Sequence, residues 1–347
     1  MALIEGFVHL MGGITVRKQY ADSLGFLDNP GKDPKVNTLK QPNISVIHLT
    51  SVSTLVEDRD EALREHMRFK KITLANPNVI HVRRKSDIPV NTEHMGVVFG
   101  MQHAPKKLRR CSDVRKFADM GIKFMALAYK GQTEYGSGFE RNGPLTAEGR
   151  NLITLFADHG ISLDISHASP QTAMDALEFI CSEKLPVKPV ASHSGIRTVY
   201  EHPRNISSDI IGMISALDGY VGIPLMTFFI CPVTNLSNFR ERFIRHVSNA
   251  VTGAGIDHVG IGSDCIHRDM TMAQAKEHFA RMTQMLESEK PFGEYFPDRH
   301  EEIIMEGSHF FMVVEKWLKE AFHDGKKVTK ICGGNFLAYL KRTLPYK

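Results

Sequence analysis

The chain has 347 residues, 42% hydrophobic and 24% charged, enough for one large buried core. Its 43 Lys+Arg against 39 Asp+Glu give a net charge of only +4, and the densest basic stretch, Lys106-Lys107-Leu108-Arg109-Arg110, reads as a solvated face, so nucleic acid is not an expected partner. No apolar run reaches membrane-spanning length and Met1-Ala2-Leu3-Ile4-Glu5 lacks a basic leader region, which makes cytoplasmic the expected location.

Short apolar, β-branched runs alternate with helical patterns along the whole length. Strands are expected at Ile4–His9, Ile44–Thr50, Gly96–Met101, Phe124–Tyr129, Ser162–Ser166, Pro189–Ser194, Tyr220–Leu225 and His258–Ser263. Between them, helices fit Arg59–Leu74, Thr146–Asp158 with a capping threonine, and Ser169 to about Ser182, opened by a cap residue and Pro170. Ser208–Leu217, Asn238–Thr252 and Thr271–Glu287 follow, then two terminal helices over Glu301–Phe322 and Thr329–Thr343. Eight strand–helix alternations predict an α/β chain folded as one (β/α)8 TIM barrel domain over residues 1–347, with extra C-terminal helices. The five cysteines (Cys111, Cys181, Cys231, Cys265, Cys332) form no CxxC pair and read as reduced thiols.

In such a barrel the polar residues at the C-terminal strand ends line the active site. In chain order they are His9, Gln102, Tyr129, His167, His193 and Asp264. Leu163-Asp164-Ile165-Ser166-His167 and Pro189-Val190-Ala191-Ser192-His193 repeat one pattern, an apolar strand ending in Ser-His. Two such histidines from consecutive strands point to metal ligation or acid–base work, where a lone strand-end histidine is more often structural. Asp264, in Gly260-Ile261-Gly262-Ser263-Asp264, is a catalytic candidate through its company; alone it would read as a cap of the next helix. Arg204, in Glu201-His202-Pro203-Arg204-Asn205, can hold a substrate carboxylate bidentately.

These segments resemble the membrane dipeptidase family of zinc peptidases, within the amidohydrolase-like barrels. Leu145-Thr146-Ala147-Glu148-Gly149-Arg150 and Leu163 to Ser169 are similar to its "LTxxG" and "DxSHxS" segments, and Ala191-Ser192-His193-Ser194 to its second zinc-histidine segment. Pro203-Arg204-Asn205 resembles the substrate-binding arginine segment, His258 to Asp264 the "hVgiGsD" strand, and Gly333-Gly334-Asn335-Phe336-Leu337 the terminal "GGNfL" helix. The resemblance implies a hydrolase acting on a dipeptide or small amino-acid-derived amide, and a homodimer.

It also implies a two-metal site built from a His-x-Asp after the first strand, a bridging glutamate after the third and the two histidines. His167 and His193 match. The family's "DGHxD" is laid on Glu5-Gly6-Phe7-Val8-His9, its bridging glutamate on Gln102, and a further histidine that polarises the substrate carbonyl on Tyr129. Without those carboxylates two divalent cations would be poorly compensated, so at most one zinc ion is expected, on His9, His167 and His193. Asp264, Tyr129, His167 and His193 are then the catalytic set, with Arg204 and Gln102 binding substrate. A metal-free acid–base enzyme (isomerase, lyase or tautomerase) and a non-catalytic ligand-binding protein are the alternatives.

Overall fold

The computed structural model describes residues 20–26, 44–90, 93–232, 238–266 and 310–346. Its parallel strands are β1 (Tyr20–Phe26), β2 (Ile44–Thr50), β3 (Val79–His81), β4 (Met95–Met101), β5 (Ile122–Ala126), β6 (Ser162–Asp164), β7 (Val190–Ala191), β8 (Tyr220–Ile223), β9 (Val259–Ile261) and β10 (Cys265–Ile266). They pair in the order β10-β1-β2-β4-β5-β6-β7-β8-β9, with β3 set beside the start of β4. The run from Val259 to Ile266 borders β8 through β9 and β1 through β10, which brings the sheet round on itself as the expected (β/α)8 barrel.

The described helices are α1 (Arg59–Thr73), α2 (Cys111–Met120), α3 (Ala147–His159), α4 (Pro170–Ser182), α5 (Ser208–Ala216), α6 (Thr227–Ile230), α7 (Phe239–Ala254), α8 (Phe310–Phe322), α9 (Gly325–Thr329) and α10 (Asn335–Thr343). Their starts follow local chemistry. Thr146 Oγ1 accepts the Gly149 N–H at 3.0 Å ahead of α3, and Ser169 Oγ accepts the Thr172 N–H at 3.2 Å ahead of α4. α2 and β3 were not foreseen. The helix expected at Thr271–Glu287 lies outside the described residues, as does the start of Glu301–Phe322. The last expected helix is divided: α9 and α10 flank a wider π-type turn at Lys330–Gly334.

The first expected strand needs correction. Ile4–His9 lies outside the described residues, and the strand that pairs with β2 is Tyr20–Phe26. Asp22 and Ser23 broke the apolar run that marks a buried strand, yet both are satisfied internally. Ser23 Oγ lies 2.6 Å from the Ser192 carbonyl and 3.0 Å from that of Ile261, and Asp22 takes the Ser263 N–H and hydroxyl.

Two apolar layers hold the barrel. The larger packs the outer strand faces against the helices, with Leu49, Val97, Met125, Val221 and Val259 among its buried members. The smaller fills the lower lumen with alternate residues of the strands, including Val46, Val98, Phe124 and Tyr220. α10 closes that end: Phe336 and Tyr339 stack on Phe124 at 6.2 Å each, and the Asn335 amide donates to the Ile256 and Val259 carbonyls.

Above this plug the lumen is narrow. A Cβ on Gly262 would lie 1.7 Å from the Ser192 carbonyl oxygen and 2.7 Å from Ser23 Oγ, and one on Gly222 would lie 2.1 Å from the same carbonyl. Gly100 leaves room for the His48 ring, whose Nε2 would stand 2.1 Å from such a Cβ. Gly262→Ala is therefore expected to cost about 1–3 kcal/mol or more, because the obstruction is backbone and cannot rotate away. Equilibrium denaturation checks this; a midpoint equal to that of the parent protein would show that the barrel relaxes at no cost.

Candidate active site

The candidate site lies at the C-terminal strand ends, where the barrel leaves backbone free to present side chains. His167 follows β6, His193 follows β7, and Arg204 stands in the loop between β7 and α5. Fold and sequence bring these three together: His167 Nε2 and His193 Nε2 are 2.9 Å apart, and Arg204 Nη2 lies 3.3 Å from His167 Nε2 and 3.2 Å from the His193 carbonyl oxygen. All three are buried, at 4%, 1% and 3% exposure.

Arg204 is packed between aromatic faces, its guanidinium carbon 4.9 Å from the Phe229 ring centre and 5.8 Å from that of Phe139. Burial lowers its pKa to about 10, against the opposing pull of Asp264 first and then Tyr129 and Asp164, so it stays charged at neutral pH. Its Nε and Nη1 are buried without a hydrogen-bond partner among the described residues. A buried cation with two unpaired donors presents a site for an anion.

The histidines are neutral. Burial is the main cause that holds both well below the ordinary imidazole range, and Arg204 is the next. The Tyr129 ring covers His167 at 4.0 Å between centres. Asp264 is half-buried, in a left-handed conformation at φ 57°, with its N–H on the Leu24 carbonyl at 3.0 Å. Burial raises its carboxyl to about 7, with Arg204 acting to lower it and Asp22 to raise it. Gln102 is turned to β2, its amide donating to Thr50 Oγ1 at 3.1 Å, and the neighbouring His103 is bonded to the Val56 carbonyl at 2.7 Å. His9 lies outside the described residues.

A family model of the membrane dipeptidases (peptidase family M19) matches residues 35–290. The chain belongs to the membrane dipeptidase family. Among curated relatives it is 28% identical over 184 residues to an uncharacterised dipeptidase of Schizosaccharomyces pombe, covering 51% of this chain and 43% of that protein. It is 30% identical over 155 residues to the dipeptidase verJ of Clonostachys rogersoniana, covering 44% and 38%. The chain thus spans less than half the length of these relatives. Among solved structures, an amidohydrolase from Pseudomonas aeruginosa superposes with a TM-score of 0.73 at 19% identity, covering 94% of this chain and 96% of that one. A family M19 metallopeptidase, dipeptidase AC, gives 0.71 at 17%, covering 94% and 99%, and at these identities the likeness shows the fold.

The described residues do not fit the metal pair expected of this family. On the observed first strand, Leu24 and Phe26 bring no metal-ligating atom to its C-terminal end. No three His, Cys, Asp or Glu side chains converge as a metal-binding group among the described residues. The two imidazoles that do converge have a guanidinium against them, which opposes a second cation at that point.

Sequence reasoning missed Phe139 and Phe229, which flank Arg204 from distant segments, and it gave no role to Asp164, Ser166 or Ser192, which lie beneath the histidines. Only Asp164 and the two serines left a signal, in the repeated Ser-His endings.

Burial of Asp264 carries a stability consequence of known sign. The native carboxyl holds its proton up to about pH 7, whereas the unfolded one, at the ordinary aspartate value of 3.8, releases it earlier. Between those values the native state binds more protons, so this group's contribution falls as pH rises. Asp264→Asn is expected to gain stability relative to the parent between pH 4 and 7, and urea denaturation at the two ends of that window checks it. A pH-independent difference would place the Asp264 carboxyl in full contact with water.

Proposed function

We propose that the chain is a dipeptidase-like hydrolase acting on a dipeptide or a small amino-acid-derived amide that carries a free carboxylate. The observation that carries this reading is Arg204, buried and charged, with Nε and Nη1 unpaired beside the histidine pair. A substrate carboxylate supplies a charged acceptor for these unpaired donors. One solved relative, a metallopeptidase from Rhodobacter sphaeroides, is liganded with a phosphinate mimic of the dipeptide L-Ala-D-Ala.

The chemistry assigned to the chain's own residues follows from their proton affinities. Asp264, with a carboxyl near 7, exchanges a proton at neutral pH; in this reading it takes one from the attacking water and returns it to the leaving nitrogen. His167 and His193, neutral, orient the water or the amide. Tyr129 donates to the oxygen of the tetrahedral intermediate. Gln102 completes the substrate wall. No step is assigned to a zinc ion, because the described residues offer two imidazole nitrogens and no carboxylate converging with them. A single zinc would need His9 or another residue outside the described set. The reading also carries forward a homodimer and a cytoplasmic location. Among the described residues no helix is long and apolar enough to cross a membrane.

The second reading, a metal-free isomerase, lyase or tautomerase on an amino-acid-derived substrate, is supported by one observation: among the described residues the two histidines meet an arginine and no third His, Cys, Asp or Glu converges with them. One panel separates the two. Dipeptides and N-acyl amino acids are incubated with protein as purified, after chelation, and with zinc added, and products are read by mass spectrometry. Hydrolysis is the expected result, with Arg204→Met weakening substrate binding by about ten- to a hundredfold through loss of a charge-assisted hydrogen-bonded contact of about 1.5–3 kcal/mol. Turnover without a gain of water selects the second reading. Binding with no turnover in any arm overturns both.

A further inference from the structure

Two buried aspartates perform the same task at two places in the barrel. Asp164 Oδ1 accepts the N–H of Ser166 at 3.0 Å and that of Ser192 at 3.2 Å, and its Oδ2 accepts the Ser192 hydroxyl at 2.5 Å. Asp22 Oδ1 accepts the N–H of Leu24 at 3.2 Å and that of Ser263 at 2.8 Å, and its Oδ2 accepts the Ser263 hydroxyl at 2.5 Å. Each carboxylate thus ties the residue two further along its own strand to a serine near the end of another strand. Each of those serines immediately precedes a polar residue of the pocket, His193 in one case and Asp264 in the other.

The Asp164 arm has a further consequence. We propose that Asp164 and Ser192 are positioning residues that fix His193 as its Nδ1–H tautomer and so give the histidine pair a direction, with His167 Nε2–H donating to His193 Nε2. A carboxylate only accepts, so the Ser192 proton points to Asp164. The Ser166 hydroxyl is spent in the same way, on Asp164 Oδ1 at 2.6 Å. Ser192 Oγ is then left with lone pairs toward His193 Nδ1 at 2.8 Å, and the proton in that contact belongs to the ring. A neutral ring protonated at Nδ1 has a bare Nε2. The 2.9 Å approach of the two Nε2 atoms needs one proton between them, and His167 must supply it.

Arg204 agrees with this order. With His167 Nε2 protonated, the 3.3 Å approach of Arg204 Nη2 joins two donors, and the guanidinium's hydrogen bond there is the one to the His193 carbonyl at 3.2 Å. The bare nitrogen of the pair becomes His167 Nδ1, a buried atom without a partner among the described residues. A ligand proton donor would therefore meet the pair at His167 Nδ1. The inference uses the site's placement and not its reaction, so it stands or fails separately from the hydrolase reading.

The test is long-range 1H–15N correlation of the full chain carrying 15N-labelled histidine, after chelation, with His167→Asn and His193→Asn giving the assignments. The expected spectra show His193 protonated at Nδ1 and His167 at Nε2. Ser192→Ala should turn the fixed His193 pattern into an average of the two tautomers, and Ser192→Thr, which keeps the hydroxyl, should restore it. A folded Ser192→Ala protein with the parent pattern overturns the proposal. So does His193 protonated at Nε2 in the parent or in Ser192→Thr, which decides the matter even if the alanine variant does not fold.

Discussion

A guanidinium held out of water among aromatic rings and neutral imidazoles governs the chemistry of this pocket. Arg204 is nearly fully buried, and among the described residues no carboxylate hydrogen-bonds to it. A buried cation left in that state is costly, and proteins meet the cost by pairing it or by giving it an anion to bind. The neighbouring groups respond to its charge. His167 and His193 are pushed further toward neutrality, and Asp264 is drawn back toward ionisation against the effect of its own burial. An arriving carboxylate would reverse these influences at once, so binding of such an anion and the protonation of Asp264 would be coupled through this charge.

The barrel makes such a placement possible by dividing its lumen. The lower part is closed by aromatic stacking of Phe124, Phe336 and Tyr339 under α10. The middle part is too narrow for side chains on every strand, and Gly100, Gly222 and Gly262 give their space to the His48 ring, the Ser23 hydroxyl and the Ser192 carbonyl. Polar groups in this layer are tied to backbone: His48 Nδ1 to the Ser23 carbonyl at 2.7 Å, and Ser23 Oγ to Ser192 and Ile261. The histidines therefore stand on a layer with little freedom to move, which is what a hydrogen bond between two ring nitrogens requires.

Much of this was legible in the residues. Apolar β-branched runs marked seven of the strands, and the Ser-His endings marked the two histidines that meet. The first strand was not legible, since Asp22 and Ser23 interrupt Tyr20–Phe26 and their partners, Ser263, Ser192 and Ile261, lie far away in sequence. The family's first motif was laid on Glu5–His9, outside the described residues. The roles of Asp164 and Ser192 depend on strand register, Asp164 facing Val190, and a linear reading carries no register. Arg204 could be named from its segment, but its setting against Phe229 and Phe139 comes from two other parts of the chain.

The strand ends share one electrostatic character. Leu24, Phe26 and Gln102 bring no charge, while Arg204 keeps its own. A metal pair would add four positive charges where Asp264 resists ionisation and the oxygens of Asp164 and Asp22 are already engaged by serines. A carboxylate ligand adds one negative charge next to the one positive charge that lacks a counterpart. Around Arg204 the described residues leave donors for an anion, and no third His, Cys, Asp or Glu joins the two imidazoles to hold a cation. Under the proposed hydrolase reading without a metal, Tyr129 would polarise the amide carbonyl while Asp264 moves the proton from the water to the leaving nitrogen.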